Sequence, residues 1–265
     1  MRFVEVTVKT IAEGHERVVR DILKYGEELT TEDGELTIEW PPHDPYVIHV
    51  TEPFTEPMAS DVCMFGRHFL DEYVTQLLTL HPPSDKSATY YYSNRLFDYP
   101  LLRCDVEEPW QEDPYYYVGD GNGDGLNQVY YSIIKRLAES PNSRRAIAIT
   151  WVPEMDVCSG EPPCLQLVQC FIRDQTLHMT CYFRSNDMLS AWGANAYGLT
   201  YLMKYVCDEI NKIIYEDGIR SGLCDCESRE DCISVGTLTT ISSSAHIYWK
   251  RDQSDLLAFR RKLNV

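Results

Sequence analysis

Val4, Val6 and Val8 alternate with polar residues at the head of the chain. A period of two puts them on one face and predicts a strand over residues 2–8. Between residues 11 and 29 the spacing changes. Val18, Val19, Ile22 and Leu23 recur at helical intervals and predict a helix there. Prolines break EWPPHDPYVIHVTEPF (39–54) and leave room only for a short strand at YVIHV. A second helix is expected over about 59–80. HPPSDKS then interrupts, ATYYYSNRLFDYP reads as extended, and 104–125 is an acidic, aromatic, glycine-rich loop.

NQVYYSIIKRLAES (127–140) has the pattern of a helix stopped by Pro141, and SRRAIAITW (143–151) that of a strand. CLQLVQCFI and TLHMTCYFRS flank RDQT and predict a hairpin. Leu199, Leu202, Met203, Val206, Ile210 and Ile213 mark a long buried helix. IRSGLCDCESREDC reads as a polar loop, a cysteine-rich insertion near 218–234, and VGTLTTISSSAHIYW returns to a strand. Strands and helices mix without a break in composition. We therefore expect one mixed α/β domain over 1–265, free of internal repeats.

Charge narrows the partners. A formal net charge of -17 argues against a general nucleic-acid or anionic-membrane surface, since both attract basic proteins. A phosphate would need a local arginine cluster. No stretch approaches the roughly 20 apolar residues of a membrane span. MRFVEVTVKT lacks the apolar core of a secretory leader. The ten cysteines, met without a secretory context, read as reduced thiols in a cytoplasm.

Cys164 follows two prolines and opens an apolar run. A cysteine at such a rim attacks as a thiolate if a neighbour lowers its pKa. The alternative is core filling, which is how Cys170 and Cys181 read. Arg184 and Ser185 follow a strand and could hold a phosphate by charge and hydroxyl; the plainer reading is a polar strand end. Asn195 offers a donor and an acceptor side by side, which suits a pyrimidine edge. Arg144 and Arg145 are adjacent, so on a regular strand they face opposite ways. His246 and Tyr248 share a strand face and could both reach a sugar hydroxyl. DGNGDG (120–125) copies the start of a calcium loop, but its twelfth position is Tyr131 rather than glutamate. Cys224, Cys226 and Cys232 lack the CxxC pairs of a zinc site. No metal is expected.

PNSRRAIAITW, PPCLQLVQ, RSNDM, Asn195 and HIY occur in the order and near the spacing of thymidylate synthase. Together they resemble that family, most strongly from Pro141 to Tyr201. YYYSNRLFDYP and the short N-terminus resemble its archaeal branch. The resemblance implies a three-layer α/β fold whose large mixed sheet packs at a homodimer interface. It implies a methyltransferase that converts dUMP to dTMP, with methylene-tetrahydrofolate or methylene-tetrahydromethanopterin as one-carbon donor. Cys164 would attack C6 of uracil, and Asn195 would bond its O4 and N3-H; the family's cytosine-specific relatives carry aspartate there. Arg184 and Ser185 match phosphate ligands, joined by Arg144 and Arg145 from the other subunit. Gln169 matches a pocket-supporting glutamine, His246 and Tyr248 the ribose contacts, and Asp187 the pterin contact. Tyr92 matches a tyrosine near the cysteine, and Glu72 a proton-relaying carboxylate.

The sequence departs from the family in three places. Leu165 stands where histidine usually follows the cysteine, and the N-terminal arginine loop is not recognisable. HPPSDKSA replaces a tryptophan-bearing segment that shields the methylene intermediate. Without a substitute, for which Trp110 and Trp192 are candidates, water would capture that intermediate. The alternatives are therefore a dUMP or dCMP 5-hydroxymethylase on the same scaffold, and a non-catalytic nucleotide-binding protein.

Overall fold

A computed structural model describes residues 4–41, 44–61, 65–80, 90–104, 115–119, 123–216 and 232–263. Strand β1 (Val4–Val8) forms as its alternation requires. Helix α1 (Ile11–Tyr25) starts in a capping box: the Thr10 hydroxyl accepts from the Glu13 N–H, and the Glu13 carboxylate accepts from the Thr10 N–H. The helix ends four residues before the expected Leu29. Gly26 runs so close to the next strands that a Cβ there would lie 2.8 Å from the Glu39 carbonyl oxygen. Strand β2 (Glu27–Thr30) follows and pairs antiparallel with β3 (Leu36–Glu39). Glu27, Glu28 and Leu29 are helix formers by propensity, and pairing with β3 overrides it.

Strand β4 (Tyr46–Val50) is the expected YVIHV, and α2 (Arg67–Leu78) is shorter than expected. Residues 92–97 form a helix, α3 (Tyr92–Phe97), where an extended segment is expected. Strands β5 (Leu101–Cys104) and β6 (Tyr115–Val118) pair antiparallel, β5 ending where the expected loop begins and β6 lying within it. A π-helical stretch (Val129–Ile134) runs into α4 (Lys135–Glu139). Strand β7 (Ile147–Ile149) is brief, and α5 (Pro153–Asp156) follows it. The expected hairpin is β8 (Leu165–Arg173) and β9 (Thr176–Phe183). After β10 (Asn186–Asp187), α6 (Trp192–Glu216) is the long buried helix. The final strand divides into β11 (Ser234–Ser242) and β12 (Ala245–Tyr248), and α7 (Gln253–Leu263) ends the fold.

Six strands form a mixed sheet in the order β1-β4-β11-β9-β8-β7, and β10-β12-β3-β2 form a second sheet. The chain crosses between the sheets at Ser243 and Ser244, which is why one apolar run becomes two strands. On one face of the large sheet Val168, Cys170, Met179, Cys181, Phe183 and Leu238 are buried, as are Leu202, Met203 and Val206 of α6. The alternate residues Phe171, His178, Tyr182, Thr239 and Ile241 are half-buried or exposed. Thus the period of two sorts residues between a sealed face and a half-covered one.

Three buried polar ties fix the region around residues 150–165. Arg95 of α3 pairs with Asp156 of α5 at 3.1 Å, and both side chains are almost fully buried. The Gln128 amide donates to the carbonyls of Arg95 (2.9 Å) and Ile149 (2.7 Å). The Thr150 hydroxyl donates to the Leu165 carbonyl. Farther off, α2 packs close to α6 at Gly198, where a Cβ would sit 2.8 Å from Cε1 of Tyr73. Cys232 is disulfide-bonded, which corrects the expectation of uniformly reduced thiols; Cys224 and Cys226 lie outside the described residues. Among the described residues no helix is long and apolar enough to cross a membrane.

Breaking the Arg95–Asp156 pair takes a carboxylate away from a buried guanidinium. Asp156→Ala should therefore cost about 3–5 kcal/mol in a urea titration. The exposed pair Lys204–Asp208, 2.8 Å apart, is the contrast. Asp208→Ala should cost under about 1 kcal/mol.

Candidate functional site

The chain leaves α5, passes Pro162 and Pro163, and delivers Cys164 one residue before β8 begins. Two tyrosines fix that point. The Cys164 N–H donates to the Tyr90 hydroxyl at 3.4 Å, and the Leu165 N–H to the Tyr92 hydroxyl at 3.1 Å. Arg184, at the end of β9, folds back onto the same turn. Its Nε donates to the Pro163 carbonyl (3.0 Å) and its Nη2 to the Pro162 carbonyl (2.8 Å). The guanidinium is therefore held beside the thiol by backbone geometry.

Cys164 is half-buried, unlike Cys170 and Cys181, which are sealed in the core. Burial pushes the Cys164 thiol up, while the Arg184 charge and a hydrogen bond with Tyr90 pull it down; the net direction is upward. Cys170, with burial alone, is pushed up to about 12. Cys164 thus differs from Cys170 in having two neighbours, Arg184 and Tyr90, that favour its thiolate, although burial outweighs them. The hydroxyls of Tyr90 and Tyr92 are also raised, chiefly by burial, so both stay protonated.

Cys164, Arg184, Ser185, His246 and Tyr248 line one cleft of about 880 Å³, with Tyr90, Trp151 and Ser244. Arg184 is the sole arginine or lysine among the described lining residues; Glu32, Asp33, Glu35, Glu39, Asp156 and Glu161 also line the cleft. The rings of His246 and Tyr248 meet edge to face with centroids 5.0 Å apart. Asp187 accepts from the Leu189 (3.2 Å) and Ser190 (3.1 Å) N–H groups, and from the Ser190 hydroxyl and Arg251. Arg251 also lies over the Tyr248 ring, 4.0 Å from its centroid. A separate cavity of about 640 Å³ is lined by α1 residues and Arg260; it contains none of the expected site residues.

Other expected residues lie elsewhere. Asn195 of α6 accepts from the Tyr73 hydroxyl at 2.7 Å. Arg144 and Arg145 are exposed and precede β7, so the opposite-face restriction of a strand does not bind them. Gln169 donates to the Arg144 carbonyl at 3.1 Å and does not line the cleft. Glu72 is exposed on α2 and faces His68 at 3.4 Å. Trp192 is buried in the core, donating to Thr240 at 3.0 Å and stacked on His15, so it cannot cover the cleft. Trp110 lies outside the described residues, as do Asp120 and Asn122 of the calcium-like motif. Asp124 of that motif accepts from the Gly119 N–H at 2.7 Å. Among the described residues no group of three or more His, Cys, Asp or Glu is placed to hold a metal.

Tyr73, Tyr90 and Arg251 were not singled out by sequence. Tyr90 was within reach, because it stands two residues from Tyr92. Arg251 follows Tyr248 through a turn, which strand periodicity does not register.

Residues 73–216 match the family model described as thymidylate synthase. The chain belongs to the thymidylate synthase family. A relative from Methanocaldococcus jannaschii is 32% identical over 248 residues, spanning 92% of this chain and 90% of its own length. One from Methanosarcina barkeri is 30% identical over 243 residues, 92% of this chain and 88% of its own. One from Methanothermobacter marburgensis is 28% identical over 262 residues, 92% of each. All three are provisionally named thymidylate synthase. The family match takes in Cys164, Arg184 and Asn195, begins one residue after Glu72, and stops before His246, Tyr248 and Arg251.

Alkylation of Cys164 should follow its thiolate, so the rate climbs with pH to a midpoint above the ordinary thiol range. Arg184→Ala removes a charge that favours the thiolate and should move that midpoint higher; Tyr90→Phe should do the same. Peptide mapping after timed iodoacetamide pulses separates Cys164 from the exposed Cys158. An unmoved or lowered midpoint in Arg184→Ala would show that the guanidinium does not act on the sulfur.

Proposed function

We propose that the chain is a thymidylate synthase that methylates dUMP, with Cys164 as its nucleophile. The observation that carries this reading is the half-buried thiol held between Tyr90 and Arg184 at the wall of a cleft that His246 and Tyr248 also line. Such a thiol adds to C6 of the uracil and makes C5 nucleophilic; C5 is too weak a nucleophile before that addition. The negative charge spreads onto O4, where the Asn195 amide donates a fixed hydrogen bond. C5 then bonds to the donor's methylene carbon and loses its proton. When the donor leaves and hydride reaches the exocyclic carbon, the thiolate departs from C6 and the methyl group is complete. A reduced methylene-pterin supplies both the carbon and the hydride, and Asp187 with Arg251 forms its contact.

The cleft's own carboxylates repel a phosphate, and Arg184 already spends donors on two proline carbonyls. We assign the missing cations to Arg144 and Arg145 of a second protomer, with Gln169 holding their backbone. Ser185 adds a hydroxyl, and His246 and Tyr248 take the ribose. The half-covered face of the six-stranded sheet supports a homodimer across it. Tyr92 positions the cysteine through Leu165. Glu72, exposed on α2, is given no catalytic role. Residues 1–265 are taken as one domain.

The core position of Trp192 favours a second reading, since it removes one of two candidates for shielding the methylene intermediate. On that reading water adds and the product is 5-hydroxymethyl-dUMP.

Incubation with dUMP and methylene-tetrahydrofolate, followed by chromatography, should yield dTMP; hydroxymethyl product alone would replace the first reading with the second. With 5-fluoro-dUMP, which has no C5 proton to lose, a covalent adduct should map to Cys164. Cys164→Ser should reduce turnover by at least about a thousandfold while leaving dUMP affinity within a few-fold. Undiminished turnover would refute the nucleophile. No turnover and no adduct in the wild type would leave a nucleotide-binding protein.

A further inference from the structure

Behind Cys164, outside the residues that line the cleft, α2 brings the Tyr73 hydroxyl rather than the exposed Glu72 near enough to Tyr90 and Cys164 for their charges to act on it. Three contacts determine where its hydroxyl lies. Phe65, Phe69 and Tyr73 stack in sequence, with centroids 4.0 and 6.5 Å apart and planes within 16° and 8°. Gly198 makes room for the ring where any Cβ would press on it. The hydroxyl donates to Oδ1 of Asn195 at 2.7 Å. Its hydroxyl end is enclosed, and the phenol stays protonated because burial raises its pKa, with smaller contributions from Tyr90 and Cys164.

An asparagine amide is nearly symmetric in shape and opposite at its two ends. Left to rotate, it can offer a donor and acceptor to uracil, or flip and offer the reverse to cytosine. Here Oδ1 takes the phenol's hydrogen, and Nδ2 has no partner among the described residues. Oδ1 keeps a second lone pair for an N3–H, and Nδ2 is free to donate to an O4. A flip would turn Nδ2 toward the phenol. The phenol oxygen could accept, but its own hydrogen would then lose Oδ1 as its acceptor, and giving up a part-buried hydrogen bond is costly. We propose that Tyr73 sets the choice of uracil over cytosine by fixing the orientation of the Asn195 amide. The inference rests on the cleft being a pyrimidine-nucleotide site. It makes Tyr73 a positioning residue that acts through Asn195.

Calorimetric titration with dUMP and with dCMP tests this without turnover. Wild type should prefer dUMP, and Tyr73→Phe should lower the dUMP:dCMP affinity ratio by about tenfold. In an Asn195→Asp background both carboxylate oxygens accept and nothing remains to be oriented. There the added Tyr73→Phe should leave the ratio within about twofold. Should Tyr73→Phe fold poorly, Gly198→Ala displaces the phenol while keeping every polar group, and should lower the ratio in the same direction. An unchanged ratio in a folded Tyr73→Phe, or an equal change in both backgrounds, overturns the proposal. If the wild type still forms the 5-fluoro-dUMP adduct, only this inference has failed. If the wild type binds neither nucleotide, the reading of the cleft has failed and this inference with it.

Discussion

The pairing of Arg95 with Asp156 holds two short helices together, and the thiol depends on both. Helix α3 and the residue two before it supply the hydroxyls that receive the Leu165 and Cys164 N–H groups. Helix α5 leads into the two prolines. Neither helix is long enough to hold its place by its own hydrogen bonds. Asp156 also accepts the Val152 N–H at 2.7 Å, so one carboxylate caps its own helix and anchors the other. Gln128 adds a second bridge from the π-helical side, tying α3 to β7. The position of one sulfur thus rests on segments that lie as much as 74 residues away in sequence.

Electrostatics at the cleft work against an anion. Among the described lining residues six carboxylates stand beside one guanidinium, and that guanidinium is partly engaged with backbone carbonyls. With a net charge of -17 the protein offers an anion little general attraction, so any anion site must rely on local cations.

Much of this was legible in the sequence, and the reasons for the rest are specific. Strands β1, β8 and β9 and helix α6 follow their apolar periods because each packs an apolar face on the shared core, while β4, buried on both faces, was marked out by the prolines around it. Strand β2 was not legible, since Glu27, Glu28 and Leu29 have helical preferences that pairing with β3 overrides. Helix α3 was hidden because the run Tyr90 to Tyr92 that leads into it reads equally well as a strand. At the site, Cys164, Arg184, Ser185, His246 and Tyr248 could be named from the motifs that resemble the thymidylate synthase family, and they share a cleft. Tyr73 could not, because its importance comes from a contact across 122 residues rather than from any local pattern. Glu72, expected as a proton-relaying carboxylate, is its neighbour in the chain and is exposed.

The glycine at 198 carries a consequence of its own. In the interior of a helix, alanine would ordinarily be the better residue by about 1 kcal/mol. Here a single methyl group would act as a wedge between two helices and shift a phenol whose hydrogen bond is already at close range. The fidelity of the site is then sensitive to bulk at a position that meets neither thiol nor cleft, and a variant chosen for thermal robustness could dull selectivity while leaving the reactive centre intact.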